Sequence, residues 1–105
     1  MTELRITVLK TVEPSHIFNG VVPVMPSTGE PHEKCTEFEE GQVFTVGEDG
    51  TMPEGFCHVA WVDIYRKVHV LQTGGTYDPW YEDGVIIACC TDGLRPVSVK
   101  LERVG

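Results

Sequence analysis

Basic residues are scarce in this sequence, and none of them cluster. Among 105 residues there are 8 Lys and Arg against 16 Asp and Glu, which gives a formal charge of -8. A protein needs a lysine or an arginine for each phosphate group that it neutralises on a nucleic acid. The charge balance therefore argues against nucleic acid as a partner, and it is typical of a chain whose acidic surface keeps it in solution.

Long apolar runs are also missing. No stretch approaches about 18 apolar residues, the length that a membrane span needs. The first ten residues alternate apolar and polar side chains and lack the continuous apolar core of a signal peptide. The four cysteines include an adjacent pair, which is awkward for a disulfide framework. We therefore expect a cytoplasmic protein with reduced thiols and no membrane partner.

Spacings that indicate metals or cofactors are absent from the sequence. There is no C-x-x-C, H-x-H or H-E-x-x-H spacing, and the segment GGTYD lacks the glycine spacing of a phosphate loop. The sequence thus predicts no metal site and no organic cofactor. One alternative stays open, a mononuclear site formed by Cys35, one of the adjacent cysteines and a histidine.

The pattern of apolar residues predicts a sheet within a single domain, residues 1–105. Residues 3–12 and 42–46 are expected to form strands. The apolar run 85–90 is typical of a strand covered on both faces, so we expect it at the centre of the sheet. Residues 97–102 alternate and indicate a half-exposed strand, and the turn residues 91–96 predict an antiparallel hairpin between the two.

One helix is expected between a sequence typical of a helix start and one typical of a helix end. Residues 51–54 (TMPE) fit a capping box at the start, and Gly74-Gly75 fits the end. An apolar stripe lies between them, formed by Cys57, Ala60, Trp61, Ile64, Val68 and Leu71. A strand over part of this stretch is the alternative, since several valines there disfavour a helix.

The expected fold class is α+β, a mostly antiparallel four- to five-stranded sheet covered by one main helix. One helix cannot cover both faces of a central apolar strand. We therefore expect either a half-barrel or a homodimer. Residues 13–34, rich in proline, are interpreted as a long loop that contains an edge strand at Val21–Val24 and serves as a lid, with a tolerated surface insertion as the alternative.

Several long motifs resemble those of a known family. They are MPEGFC-x-x-AW-x-DIY, GG followed by a tryptophan, and IACCTDGLRPV-x-x-K-x-ER, together with RITVLK and C-x-x-F-x-x-G-x-x-F. Together they resemble a family of small uncharacterised bacterial and archaeal proteins of roughly this length. Residues 13–34 depart from that pattern. The resemblance supports the expected fold and implies no activity.

The cysteines are the first candidates for chemistry. Alternation sends Cys89 and Cys90 to opposite faces of the sheet, and packing is the favoured role for Cys57 and Cys89. Cys90 borders a turn that contains Arg95, and a nearby cation favours the nucleophilic thiolate. Cys35 follows the long loop and is the second candidate for a reactive thiol.

Two carboxylates are the next candidates. Asp63 lies on the predicted helix and Asp92 in the turn, where a carboxyl group in an aromatic pocket could transfer protons. Arg95 could hold an anionic group of a substrate. Each acid also has a structural alternative, since Asp92 suits a turn and Asp63 could pair with Lys67.

The function expected from these residues is that of a small enzyme without a cofactor that acts on a small molecule by acid–base or cysteine thiol chemistry, of the lyase or isomerase type. The alternative is a non-catalytic binding module for a small apolar ligand or a thiophilic metal, or an accessory subunit of a larger enzyme. A redox protein that cycles the adjacent cysteines is a weaker third reading. The predicted catalytic residues are Cys90, Asp92 and Asp63, and the predicted substrate-binding residues are Arg95, Trp61, Trp80 and Cys35.

Overall fold

A four-stranded antiparallel sheet with one long helix forms the framework of the protein, described for residues 2–104 by a computed structural model. This confirms the α+β class, and the sheet is not closed into a barrel. In chain order the elements are β1 (Leu4–Thr11), α1 (Pro14–Ile17), β2 (Val43–Val46), α2 (His58–Gln72), β3 (Val85–Cys89) and β4 (Val97–Arg103). No helix within the described residues is long and apolar enough to cross a bilayer.

The strand order is β2-β1-β4-β3, so β1 and β4 are central and β3 is an edge strand. The prediction that the apolar run 85–90 is central was wrong. Val85, Ile87 and Cys89 lie on the sheet face away from the core, and Ile87 is 36% exposed. An apolar run shows that both faces of a strand can be buried. It does not show that both faces are buried in the folded protein. The predicted homodimer, which would cover this open face, stays a prediction.

The core lies between the other face of the sheet and α2. Alternate residues of every strand point into it, namely Leu4, Ile6, Val8, Phe44, Val46, Ile86, Ala88, Val97, Val99 and Leu101. From α2 it receives Ala60, Ile64, Val68 and Leu71, which confirms the predicted stripe. Burying each large side chain of this kind stabilises the fold by about 1.5–3 kcal/mol. The predicted β3–β4 hairpin is confirmed, with antiparallel pairing from Val85↔Glu102 to Cys89↔Ser98.

The start of α2 differs from the prediction. The helix begins at His58, after the predicted capping box of residues 51–54. The Thr51 hydroxyl donates to Asp49 Oδ1 at 3.1 Å instead of capping a helix. Gly55 has a φ of 80°, a left-handed conformation that interrupts any helix begun upstream. The buried side chain of Phe56 then enters the core ahead of the helix.

The end of α2 agrees with the prediction and is tightly anchored. Gly74 follows the helix with a φ of 89°, the left-handed conformation in which many helices end. The Arg103 guanidinium donates to the carbonyl oxygens of Leu71, at 2.9 Å, and Gly75, at 2.8 Å. It also pairs with Asp83, in the turn before β3. One side chain thus joins the helix end to both strands of the hairpin.

The long segment between β1 and β2 contains little regular structure. The short helix α1 was not predicted, and the predicted edge strand at Val21–Val24 is reduced to a single bridge between Val24 and Pro31. Around that bridge, Met25 N donates to Glu30 O at 2.8 Å, and His32 N donates to Pro23 O at 3.0 Å. We call residues 23–32 the loop hairpin.

Candidate functional site

A pocket of about 280 Å³ lies where the N-terminal end of α2 meets the end of β3. Three of the four cysteines line it, Cys35, Cys57 and Cys90, and so do Asp92 and Arg95. We call it the thiol pocket. Its remaining walls are mainly apolar and come from Phe38, Val59, Ala60 and Val97, with Glu37 as a further charged residue.

Each of the three thiols comes from a different part of the chain. Cys90 follows β3, Cys57 precedes the first residue of α2, and Cys35 lies in the segment before β2. All three are partly buried and pack against the core. Cys57 was predicted to pack only, and the structure gives it a place in the pocket wall as well. Its position just before the first residue of α2 was the missed signal, because a side chain at a helix end is only partly enclosed.

The sulfur of Cys90 is held in place by the hairpin. Val97 N donates to Cys90 Sγ at 3.3 Å, and Cys90 N donates to Val97 O at 3.1 Å. The thiol is therefore oriented by backbone groups, although Cys90 lies just outside the regular strand. A sulfur that is oriented by a backbone N–H group suits a reacting atom, because part of its conformational freedom is already lost.

Cys89 lies on the opposite face of the sheet. Its thiol is exposed and lies opposite Ser98 in β4, so the prediction that Cys89 packs in the core was wrong. Partial desolvation raises the pKa of the Cys89 thiol, and the neighbouring Cys90 raises it further. Alternation separates the two adjacent thiols, but only the register of β3 decides which of them faces the core.

Asp92 and Arg95 form one unit in the turn between β3 and β4. Asp92 Oδ1 accepts the backbone N–H groups of Leu94, at 3.0 Å, and Arg95, at 3.2 Å, while Oδ2 lies 3.5 Å from Arg95 Nε. Partial burial acts to raise the pKa of Asp92, but the two N–H donors and the guanidinium together lower it. Asp92 is therefore ionised near neutral pH, and its contacts are those of a turn residue that also positions Arg95.

Asp63 does not line the thiol pocket. Its carboxylate accepts the N–H of Thr91 at 2.8 Å and the Thr91 hydroxyl at 3.0 Å. Within residues 2–104 it forms no ion pair with Lys67. Asp63 thus ties α2 to the residue that follows Cys90, which is a positioning role for the thiol.

The two predicted tryptophans also lie outside the pocket. Trp61 packs its ring against Phe56 and Tyr65, with centroids 6.0 and 5.6 Å apart. Trp80, in the loop before β3, is 84% exposed. Of the predicted site residues, the structure brings together Cys35, Cys90, Asp92 and Arg95, and it leaves Asp63, Trp61 and Trp80 outside.

The three thiols share a pocket without converging on one point. In the described part of the chain, no group of three or more His, Cys, Asp or Glu side chains is placed to hold a metal ion. The arrangement offers separate sulfur atoms along an apolar wall, which suits contact with a small organic molecule better than coordination of a metal ion.

Arg95 stands between the thiol pocket and the loop hairpin. A second cavity of about 320 Å³ is lined by Arg95 and by hairpin residues including Met25, Glu30 and His32. The segment that was interpreted as a lid therefore lies next to Arg95, which lines both cavities. Its role as a lid stays a prediction.

Comparison of the chain with models of known protein families, with curated proteins and with solved structures found no significant match. The resemblance of the GFC-x-x-AW-x-DIY and ACCTDGLRPV motifs to a small bacterial and archaeal family therefore stays a prediction.

Proposed function

We propose that the protein is a small enzyme that works without an organic cofactor and uses the thiol of Cys90 on a small molecule bound in the thiol pocket. The observation that supports this is the presence of three partly buried thiols on one pocket, beside an arginine. Cysteine sulfur is the most nucleophilic group that a protein side chain offers near neutral pH. Isolated structural cysteines give no reason for such a grouping.

In this proposal the sulfur of Cys90 adds to an electrophilic carbon, such as that of a carbonyl group. A carbon–sulfur bond forms, the π electron pair moves to the carbonyl oxygen, and the thiol proton is transferred to that oxygen through solvent. In the adduct, solvent takes a proton from a carbon next to the C–S bond and the C–H electron pair forms a C=C bond; solvent then returns a proton to the neighbouring carbon. The C–S bond breaks with its electron pair going back to sulfur, and the net result is an isomerisation, which is the type of chemistry expected from the sequence. Arg95 binds the substrate, Asp92 positions Arg95, and Asp63 positions the turn that follows Cys90.

The test uses the two adjacent cysteines as reacting group and internal control. Native protein is alkylated with iodoacetamide at pH 7, and the rate at each cysteine is read by peptide mass spectrometry. We expect Cys90 to react several-fold faster than Cys89, although Cys89 is the more exposed thiol. The raised pKa of Cys89 leaves little of it as the reactive thiolate at this pH.

The variants Cys90→Ser and Cys89→Ser assign each adduct and show whether one thiol alters the other. If Cys90 stays unmodified until the protein unfolds, the proposal fails, whether or not Cys35, Cys57 or Cys89 reacts.

A non-catalytic binding module is the second candidate function, and the apolar walls of the pocket support it. Phe38, Val59, Ala60 and Val97 form a surface that suits a small apolar ligand. Native mass spectrometry of the purified protein distinguishes the two. A retained small molecule together with unreactive pocket thiols would favour binding over catalysis.

A further inference from the structure

We infer that the thiol pocket takes a small monocarboxylate with an apolar body, held through the terminal nitrogens of Arg95. This inference rests on the proposed function, because it takes Cys90 as the group that reacts. It adds the chemical class of the substrate: one carboxylate, a short apolar portion and an electrophilic carbon within reach of the Cys90 sulfur.

The first argument is the spare donor capacity of Arg95. Its Nε faces Asp92 at 3.5 Å, and within residues 2–104 neither terminal nitrogen has a hydrogen-bond partner. The side chain is 43% exposed, so a ligand can reach those nitrogens. Two terminal N–H groups in one plane match the two oxygens of a carboxylate.

The second argument concerns charge and favours a ligand with a single negative charge. Asp92 cancels much of the charge of Arg95, and Glu37 also lines the pocket. The chain as a whole has a formal charge of -8. A doubly charged phosphate would be repelled by these carboxylates more than a single carboxylate would be. The pocket therefore favours a ligand that bears one negative charge at the Arg95 end.

The third argument concerns size and polarity. Apart from Arg95, Asp92, Glu37 and the thiols, the pocket is lined by apolar residues, among them Phe38, Val59 and Ala60. A volume of about 280 Å³ lies just below the range of about 300–1,000 Å³ that is typical of pockets for drug-sized molecules. The fitting ligand is thus a small acid with a short apolar chain.

The experiment compares two alkylating reagents of nearly equal size, iodoacetate and iodoacetamide. With either reagent the Cys90 thiolate attacks the CH₂ carbon, a carbon–sulfur bond forms, the carbon–iodine bond breaks, iodide leaves and the thiol proton passes to solvent. Only iodoacetate has a carboxylate. The measured quantity is the ratio of the iodoacetate to the iodoacetamide rate at Cys90, divided by the same ratio for a free small-molecule thiol.

We expect this normalised ratio to exceed one in the native protein and to fall by about two- to fivefold in Arg95→Met, the range expected for a partly exposed charge pair. Glu37→Gln should raise the ratio, since it removes a repelling charge. Arg66→Met, on the exposed surface of α2, is the matched control for loss of one positive charge and should leave the ratio unchanged.

The outcomes separate this inference from the proposed function. If Cys90 reacts readily with iodoacetamide but shows no preference for iodoacetate, and Arg95→Met has no effect, the carboxylate inference is overturned while the reactive thiol stands. If Cys90 reacts with neither reagent, the proposed function fails.

A titration with butyrate, followed by ¹H–¹⁵N NMR and compared with butyramide, tests the binding step without any reaction. Shifts at Arg95 and at the pocket walls that occur with butyrate alone support the carboxylate site. Equal shifts with both compounds, or none, overturn it.

Discussion

The two ends of β4 each have an arginine, and the two arginines behave differently. Arg103, at the end of the strand, is 17% exposed and donates to two backbone carbonyls as well as to Asp83. Arg95, just before the strand begins, is 43% exposed and has one long contact, with Asp92. Both terminal nitrogens of Arg103 are used to hold the fold together. Those of Arg95 remain available to a ligand.

Two glycines, one near each arginine, show the same difference in how closely the neighbouring atoms pack. Gly75, near Arg103, is so closely approached that an added Cβ would lie 2.5 Å from a methyl carbon of Val70. Gly93, beside Arg95, has nothing within 4 Å of such an atom. One end of the hairpin is closely packed and satisfied in hydrogen bonding, while the other is open and contains unused functional groups. Such unused groups are what a binding site requires.

The largest expected effect on stability comes from replacing each of the two arginines by methionine in separate variants. Arg103→Met should destabilise the protein by about 2–4 kcal/mol, because it leaves two carbonyls at the end of α2 without their charged donor. Arg95→Met should cost less than about 0.5 kcal/mol, as for other exposed ion pairs. Urea unfolding followed by circular dichroism measures both. Equal losses in the two variants would remove the distinction between the ends.

The glycines provide the next test. Gly75→Ala should destabilise the protein by about 1–3 kcal/mol, since the new methyl group meets Val70 side-chain and backbone atoms at 2.5 and 2.8 Å. Gly93→Ala is the matched control and should change stability by less than about 0.5 kcal/mol. Thermal unfolding of the two variants gives the comparison. A loss at Gly93 as large as that at Gly75 would show that the open end is also closely packed.

The smallest expected effect concerns pH and Asp92. Its pKa is lowered in the folded protein from an ordinary value of 3.8. The ionised group therefore contributes stability above that value, and the contribution is lost as the pH falls through the folded pKa. Asp92→Asn keeps an oxygen to accept the N–H groups of Leu94 and Arg95. The wild-type protein should thus be slightly more stable than this variant at pH 6. The difference in their free energies of unfolding should disappear towards pH 2.

Unfolding by urea at several pH values measures this convergence. A stability difference that stays constant from pH 6 to pH 2 would show that the Asp92 charge contributes nothing to the turn.

Much of the local structure could be predicted from the sequence. The alternation in β1 and β4, the apolar stripe of α2 and the turn residues 91–96 each indicated the correct element, because they record which side of a short segment meets water. The turn also placed Asp92 and Arg95 together with Cys90, since these residues are neighbours in the chain.

The start of α2 was harder to predict. Residues 51–54 have the composition of a capping box, but the left-handed Gly55 and the burial of Phe56 delay the helix to His58. A capping signal shows where a helix can begin. Packing of the following side chain decides where it does begin.

By itself, then, the sequence determined the strands, the main helix and a turn that places a thiol beside an arginine, because short-range patterns act within one element. Only the tertiary structure decided that β3 is an edge strand, that Cys89 faces outward, and that Cys35 and Cys57 join Cys90 in one pocket. Those outcomes depend on pairings between distant segments, such as β1 with β4. No short-range pattern specifies them, since they are selected by the packing of the whole core.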